Sequence, residues 1–227
     1  MKKVKAMAAI MAATAVISTG AGAVPTFAAD AAPSAQTVQA MEKFVQSADV
    51  QSEVRATASE ADTTYSEFDF GSLEDEKQVG KLTGEAYKVD LSETSMANNS
   101  LDSGSNVEIT EDGYAFTIKT KSQTYLGNTA KPKTATVTYY EYNSKTKAYE
   151  EKTIDCDVKS DGSQITFTLP DNAAGLKPAS TTIPDGYKNM LKVKMTTTLK
   201  DSWLSGIFPE AMTAPTFFYL FNVASVQ

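Results

Sequence analysis

Two hydrophobic periods divide the chain. In "AQTVQAMEKFVQSADVQSEV" the apolar positions Val38, Met41, Phe44 and Val45 fall three and four residues apart, the repeat of one helix face. This predicts one amphipathic helix over roughly residues 35 to 58, which either packs on the rest of the chain or serves a partner. From about residue 82 the period drops to two. The segments "AYKVDL", "NVEIT", "YAFTIKT", "TATVTYYEY", "EKTIDCDVK", "QITFTL", "LKVKMTTTL" and "TFFYLF" read as strands, because successive strand residues face opposite sides. Turn-forming residues separate them at Glu111-Asp112-Gly113, Asn143-Ser144, Ser160-Asp161-Gly162 and Pro184-Asp185-Gly186. In the seventh segment Leu191, Val193, Met195 and Thr197 share one face and Lys192 and Lys194 the other, which puts Met195 in the core. Short strands at such spacing predict an all-β, Ig-like antiparallel β-sandwich over 81–227. The acidic, turn-rich stretch "SEADTTYSEFDFGSLEDEKQVG" reads as a linker, so 29–80 forms a helical and linker segment ahead of the sandwich.

The first residues change the picture of where the protein works. Lys2, Lys3 and Lys5 precede an alanine-rich apolar run that ends in small residues, the three regions of a secretory signal peptide. Cleavage fits best after Ala28, with Thr26 at the minus-three position, and Ala29 is the alternative. Residues 1–28 are therefore expected to be removed. Thr14, Ser18 and Gly20 interrupt the run, which argues against a retained anchor, and Phe217 to Val223 is far too short to cross a bilayer. The expectation is a secreted or cell-surface-associated protein whose mature chain does not span a membrane.

Charge and rare residues narrow the chemistry. The formal charge is −7, which argues against nucleic acid as a partner because its phosphates repel such a chain. There is no histidine, which excludes Ser-His-Asp and Cys-His catalysis and a His-rich zinc site. The single cysteine, Cys156, admits no intrachain disulfide. Its neighbours Asp155 and Asp157 disfavour the thiolate, so it reads as a small strand residue. Asp and Glu are plentiful but no pair stands out by spacing, and the chain is not expected to be an enzyme.

Two methionines sit in unusual places. Met96 lies in "SETSMANNSL", a polar loop or single helical turn after the first strand. Met212 lies in "GIFPEAMTAPTFFYL" just before the last strand, where Pro209 and Pro215 bracket it; on that reading it belongs to neither a helix nor a central strand. Strand connections of a sandwich gather at its rims, so two such loops can lie side by side. A loop methionine is either a plug for the rim of the core or a ligand, and a thioether is soft enough to ligate haem iron.

The stretch "AYKVDLSETSMANNSLDSGSNVEITEDGYAFTIKT" resembles the NEAT-type haem-binding domains of Gram-positive surface proteins, which are Ig-like sandwiches. The resemblance runs from about 82 to 225. It is strongest to the streptococcal cell-surface type, in which two axial methionines hold the iron. Met212 precedes Phe218-Tyr219-Leu220 by six residues, as in that type. The more widespread Y-x-x-x-Y pair is missing from the last hairpin, a departure that favours methionine over tyrosinate.

The resemblance implies a haem (iron protoporphyrin IX) cofactor, with Met96 and Met212 as axial ligands and Ser95 hydrogen-bonding a propionate. Ser95 also reads as an N-cap of the short turn. Tyr87, Leu101, Trp203, Leu204, Ile207 and Phe208 are the expected walls. Trp203 reads either as a core anchor or as a haem contact, and Lys200 as a solvated lysine or a propionate partner. The implied function is extracellular haem acquisition and relay, with a haem-donor or haem-acceptor protein at the cell surface as partner. The competing expectation is an Ig-like adhesive or structural surface domain without cofactor, in which both methionines are ordinary packing.

Overall fold

The computed structural model describes residues 34–71, 73, 77–180, 183–184 and 186–225, without the side chains of Trp203 and Leu204. The expected signal peptide lies outside the described residues.

The predicted single helix is two. Helix α1 spans Ala35–Val45 and α2 spans Ala48–Ala58. Ser34 caps α1, its hydroxyl accepting from the Thr37 N–H at 3.2 Å. Ser47 stands at the start of α2 in extended conformation and breaks the run, since serine favours caps over helix interiors. Met41 is the fully buried residue of α1.

The strands are β1 Thr63–Ser66, β2 Val79–Tyr87, β3 Asn106–Thr110, β4 Gly113–Lys119, β5 Gln123–Tyr125, β6 Asn128–Ala130, β7 Pro132–Asn143, β8 Ala148–Val158, β9 Gln164–Leu169, β10 Ala173–Pro178, β11 Asn189–Thr197 and β12 Thr216–Ser225. Every pairing between them is antiparallel. One wall of the sandwich runs β8-β7-β11-β12-β2 and the other β3-β4-β9. Two short seams join them. Val79–Lys81 of β2 pair with Asn106–Glu108 of β3, and Asp157 and Val158 pair with Thr166 and Ile165. The ladder thereby returns to its starting strand, giving an all-β sandwich closed like a barrel. Closure pairs the edges of these eight strands, which would otherwise template aggregation, while β10 and β1 branch off β7.

Alternation explains the core. Phe116 and Ile118 of β4, Leu191, Val193 and Met195 of β11, and Phe217, Tyr219 and Phe221 of β12 all face inward. The intervening Phe218 and Leu220 are also buried, in a second cluster with Val89, Leu176 and Met190 on the outer face of the same wall. This accounts for the unbroken apolar run in "TFFYLF": a strand covered on both faces does not alternate.

Residues 59–80 are more than a linker. They contain β1, which extends the sheet by pairing Tyr65 with Leu176. Phe70 lies against the Tyr114 ring with centroids 4.4 Å apart. The Asn189 side chain holds the backbone of Asp69 from both sides, accepting from its N–H at 2.7 Å and donating to its carbonyl at 2.9 Å. The sequence pattern missed this because two phenylalanines among acids and glycine carry no period.

Candidate functional site

The β2 strand ends at Tyr87 and its continuation folds back onto it. The Ser95 N–H donates to the Ala86 carbonyl at 2.8 Å, and the Ala86 N–H donates to the Asn98 side-chain oxygen at 2.9 Å. This fixes a 3-10 turn over Met96–Ser100 at the rim of the sandwich. Ser95 caps it, its hydroxyl oxygen accepting from the Ala97 N–H at 3.1 Å. The N-cap expectation for Ser95 therefore holds.

Facing this turn is the β11–β12 connection. Its backbone forms 3-10 turns at Thr198–Asp201 and Trp203–Gly206 and then a one-turn helix, α3, over Glu210–Thr213. Met212 lies inside α3, which corrects the expectation that the flanking prolines exclude it from a helix. Pro209 occupies the N-cap, before any intrahelical donor is needed, and its carbonyl accepts from the Met212 N–H at 3.0 Å. Pro215 follows the helix end, where it breaks nothing. The Met195 N–H donates to the Pro215 carbonyl at 2.9 Å, which ties α3 to the end of β11.

Met96 and Met212 line one cavity of about 20 Å³, with Met195, Ser100, Tyr125 and Thr197 among the other walls. Met212 is 7% exposed and Met96 half-buried. Ile207 and Phe208 join them in one apolar cluster with Leu199 and Ala130. Burial and the negative charge of Glu53 push the phenol of Tyr125, which lines the same cavity, up from its ordinary value. Among the described residues no group of His, Cys, Asp or Glu side chains is arranged to hold a metal ion. The thioethers are the soft donors at this rim.

Two expected wall residues lie elsewhere. Tyr87 points to the outer face of the β12–β2 wall, packed edge-on against Tyr187 with centroids 6.1 Å apart. It is odd-numbered on a strand whose even-numbered Leu82 and Ala86 face inward, so alternation turns it away. Leu101 packs on the main core and lines a neighbouring internal cavity instead. The Trp203 and Leu204 side chains lie outside the described residues, and Lys200 is exposed.

The N-terminal helices pack against this rim. Met41, Phe44 and Val45 of α1 and Val50 of α2 pack into the cluster that holds Met96, Phe208 and Met212. Phe44 lies between Tyr125 and Phe208, with centroids 5.7 and 6.3 Å away. Glu53 of α2, only 4% exposed, accepts from the Ser95 hydroxyl and, at 3.1 Å, from the Met96 N–H. Lys88 donates to the Ser52 hydroxyl at 2.7 Å, and Ser52 donates to Glu93 at 3.0 Å. Sequence reasoning found the α1 stripe but not its target, and Glu53 carried no signal among so many acids.

A porphyrin suits the donors here but not the space. Ligand pockets run to about 300–1,000 Å³, more than tenfold the cavity between the methionines. The cavity as it stands does not admit haem. Comparison of the chain with family models, curated proteins and solved structures returned no match.

Proposed function

We propose that the protein binds haem outside the cell and passes it on, with Met96 and Met212 as the axial pair. The observation that carries this reading is that two methionines 116 positions apart in sequence line the same cavity, as the NEAT-type resemblance requires. Ile207 and Phe208 stand beside them as apolar walls. Bound there, haem would supply a redox-active iron whose potential neutral thioethers raise relative to anionic ligands. The chain's own part is to bind: two sulfurs offered from facing loops, a serine hydroxyl beside one of them, and no anionic side chain among the cavity walls. Weak neutral ligands suit release to an acceptor protein. The expected site of action is the extracellular side of a Gram-positive-type cell.

Haemin titration of the mature chain tests this. The expected result is a saturable, one-to-one Soret band that is shifted or lost in Met96→Ala and Met212→Ala. No saturable binding by the wild type or by variants with loosened helices rejects it.

The adhesive-domain reading has one observation in its favour. Tyr65 and Tyr142 are each 43% exposed, and the Tyr65 ring stacks on Tyr149 at 4.1 Å. This places an aromatic patch on the face formed by β1, β7 and β8.

A further inference from the structure

We infer that the α1–α2 pair is a displaceable cap seated on the two methionine loops, so that docking of the helices and binding of a carboxylate-bearing apolar ligand exclude one another. This rests on the haem reading above and adds a regulator to it.

Position is the first support. The cap packs against both methionine loops, with Met41 and Phe44 in the cluster that holds Met96, Phe208 and Met212. Its format is the second. The cap presents an apolar surface together with one buried carboxylate, and Glu53 takes the Ser95 hydroxyl and the Met96 N–H. A flat apolar ligand with a carboxylate at its edge offers the same two features. Glu53 thus occupies the donors that such a ligand's carboxylate would need.

The cap is also separable from the body. Among the described residues none before Phe68 belongs to the main core, so undocking α1 and α2 leaves the sandwich interior untouched. Each helix is 11 residues long, below the length at which isolated helices persist in water, so tertiary packing alone holds them. That packing rests on few fully buried apolar side chains, chiefly Met41, Val50 and Ala56. Segments with so few buried contacts open at a fraction of the global stability. The body resumes at Glu60, which is ion-paired to Lys192 of β11, and at Ala61, whose N–H donates to the Val89 carbonyl at 2.8 Å, which leaves the exposed Ser59 as the hinge.

Competition has a quantitative signature. When only an open fraction of molecules binds, the apparent Kd rises by the inverse of that fraction. Loosening the cap must therefore tighten ligand binding.

The test uses the full mature chain, its Val50→Asp variant, which would bury an unpaired charge in the docked state, and its Glu53→Ala variant, which removes the polar pin. Retained near-UV circular dichroism and a cooperative transition verify the sandwich in each. Haemin titration and amide hydrogen exchange are read together. Both variants are expected to bind haemin roughly tenfold or more tightly than wild type, by the open-fraction relation. Amides of residues 41–56 in the wild type are expected to lose protection when haemin is added. If wild type binds haemin in a methionine-dependent way but the variants bind no tighter, or residues 41–56 stay protected in the complex, the cap is overturned and the haem reading stands. If neither wild type nor variants bind haemin, the haem reading fails and the cap falls with it.

Discussion

The Met96 N–H donates to a Glu53 carboxylate oxygen at 3.1 Å across 43 positions of sequence, and the adjacent Ser95 hydroxyl donates to the same carboxylate. One acidic side chain on α2 thereby fixes the helical segment over the loop that carries the candidate ligand. A buried carboxylate is tolerated only when it is hydrogen-bonded, so these two donors make the docked position possible.

Ser95→Ala removes one of those donors and also the cap of the 96–100 turn. A lost N-cap costs about 0.5–2 kcal/mol, and a buried group left without a partner about 1–3 kcal/mol. The second cost is limited by how firmly the helices hold, because undocking returns Glu53 to water. Urea unfolding should show a loss of about 2–4 kcal/mol, with exchange of the α2 amides accelerated more than that of the β12 amides. Equal acceleration in both would mean that Ser95 does not pin the cap.

Gly113 and Gly206 offer a paired test of the backbone. Gly113 opens β4 at φ +121°, and a Cβ there would stand 2.1 Å from the Leu169 carbonyl oxygen. Gly206 has no heavy atom within 4 Å of such a Cβ and no positive φ. Gly113→Ala should cost at least about 2 kcal/mol, or a fall in Tm of about 4–8 °C. Gly206→Ala should stay within about 0.5 kcal/mol. Thermal melts of the two variants decide it.

Burial pushes the Cys156 thiol up to about 12, and Asp155 and Asp157 add to the shift. The folded state therefore keeps its proton where the unfolded chain begins to release it, near 9. Proton binding favours the folded form below that point and its advantage is lost as pH rises toward 12. At pH 8 iodoacetamide should label Cys156 far more slowly in the native protein than in urea, since the thiolate is the nucleophile. Comparable rates would show that the thiol is neither buried nor shifted.

The strands were legible where one face is buried and the other wet. Leu191, Val193 and Met195 against Lys192 and Lys194 is such a case, and β11 forms as the alternation predicts. Strand β10, "AAGLKP", was not legible. Its Gly175 sits under Phe68, with 2.7 Å to a hypothetical Cβ, so the glycine serves close packing and not a turn. The pairing of Met96 with Met212 was legible only as a proposal joining two loops, because no local period links residues so far apart. Tyr87 faces outward because strand parity, which its aromatic character does not reveal, turns it from the core side of β2. The role of Glu53 was invisible, since it depends on a helix docking that composition does not encode.

Leucine at the two methionines separates ligation from packing. Met to Leu nearly conserves volume and apolarity, and such exchanges usually cost less than about 1.5 kcal/mol. Met96→Leu and Met212→Leu should therefore keep Tm within about 6 °C of wild type. Neither leucine has a lone pair to offer. If the sulfurs ligate iron, each exchange must shift or abolish the haemin spectrum while the fold persists. Tyr87→Phe is the matched control: its ring packs on Tyr187 at the outer face of the wall, so removing its hydroxyl should leave the titration unchanged. Unaltered spectra in both leucine variants would reduce Met96 and Met212 to rim packing. A changed spectrum in Tyr87→Phe would place the haem on the wrong side of β2 for the proposed site.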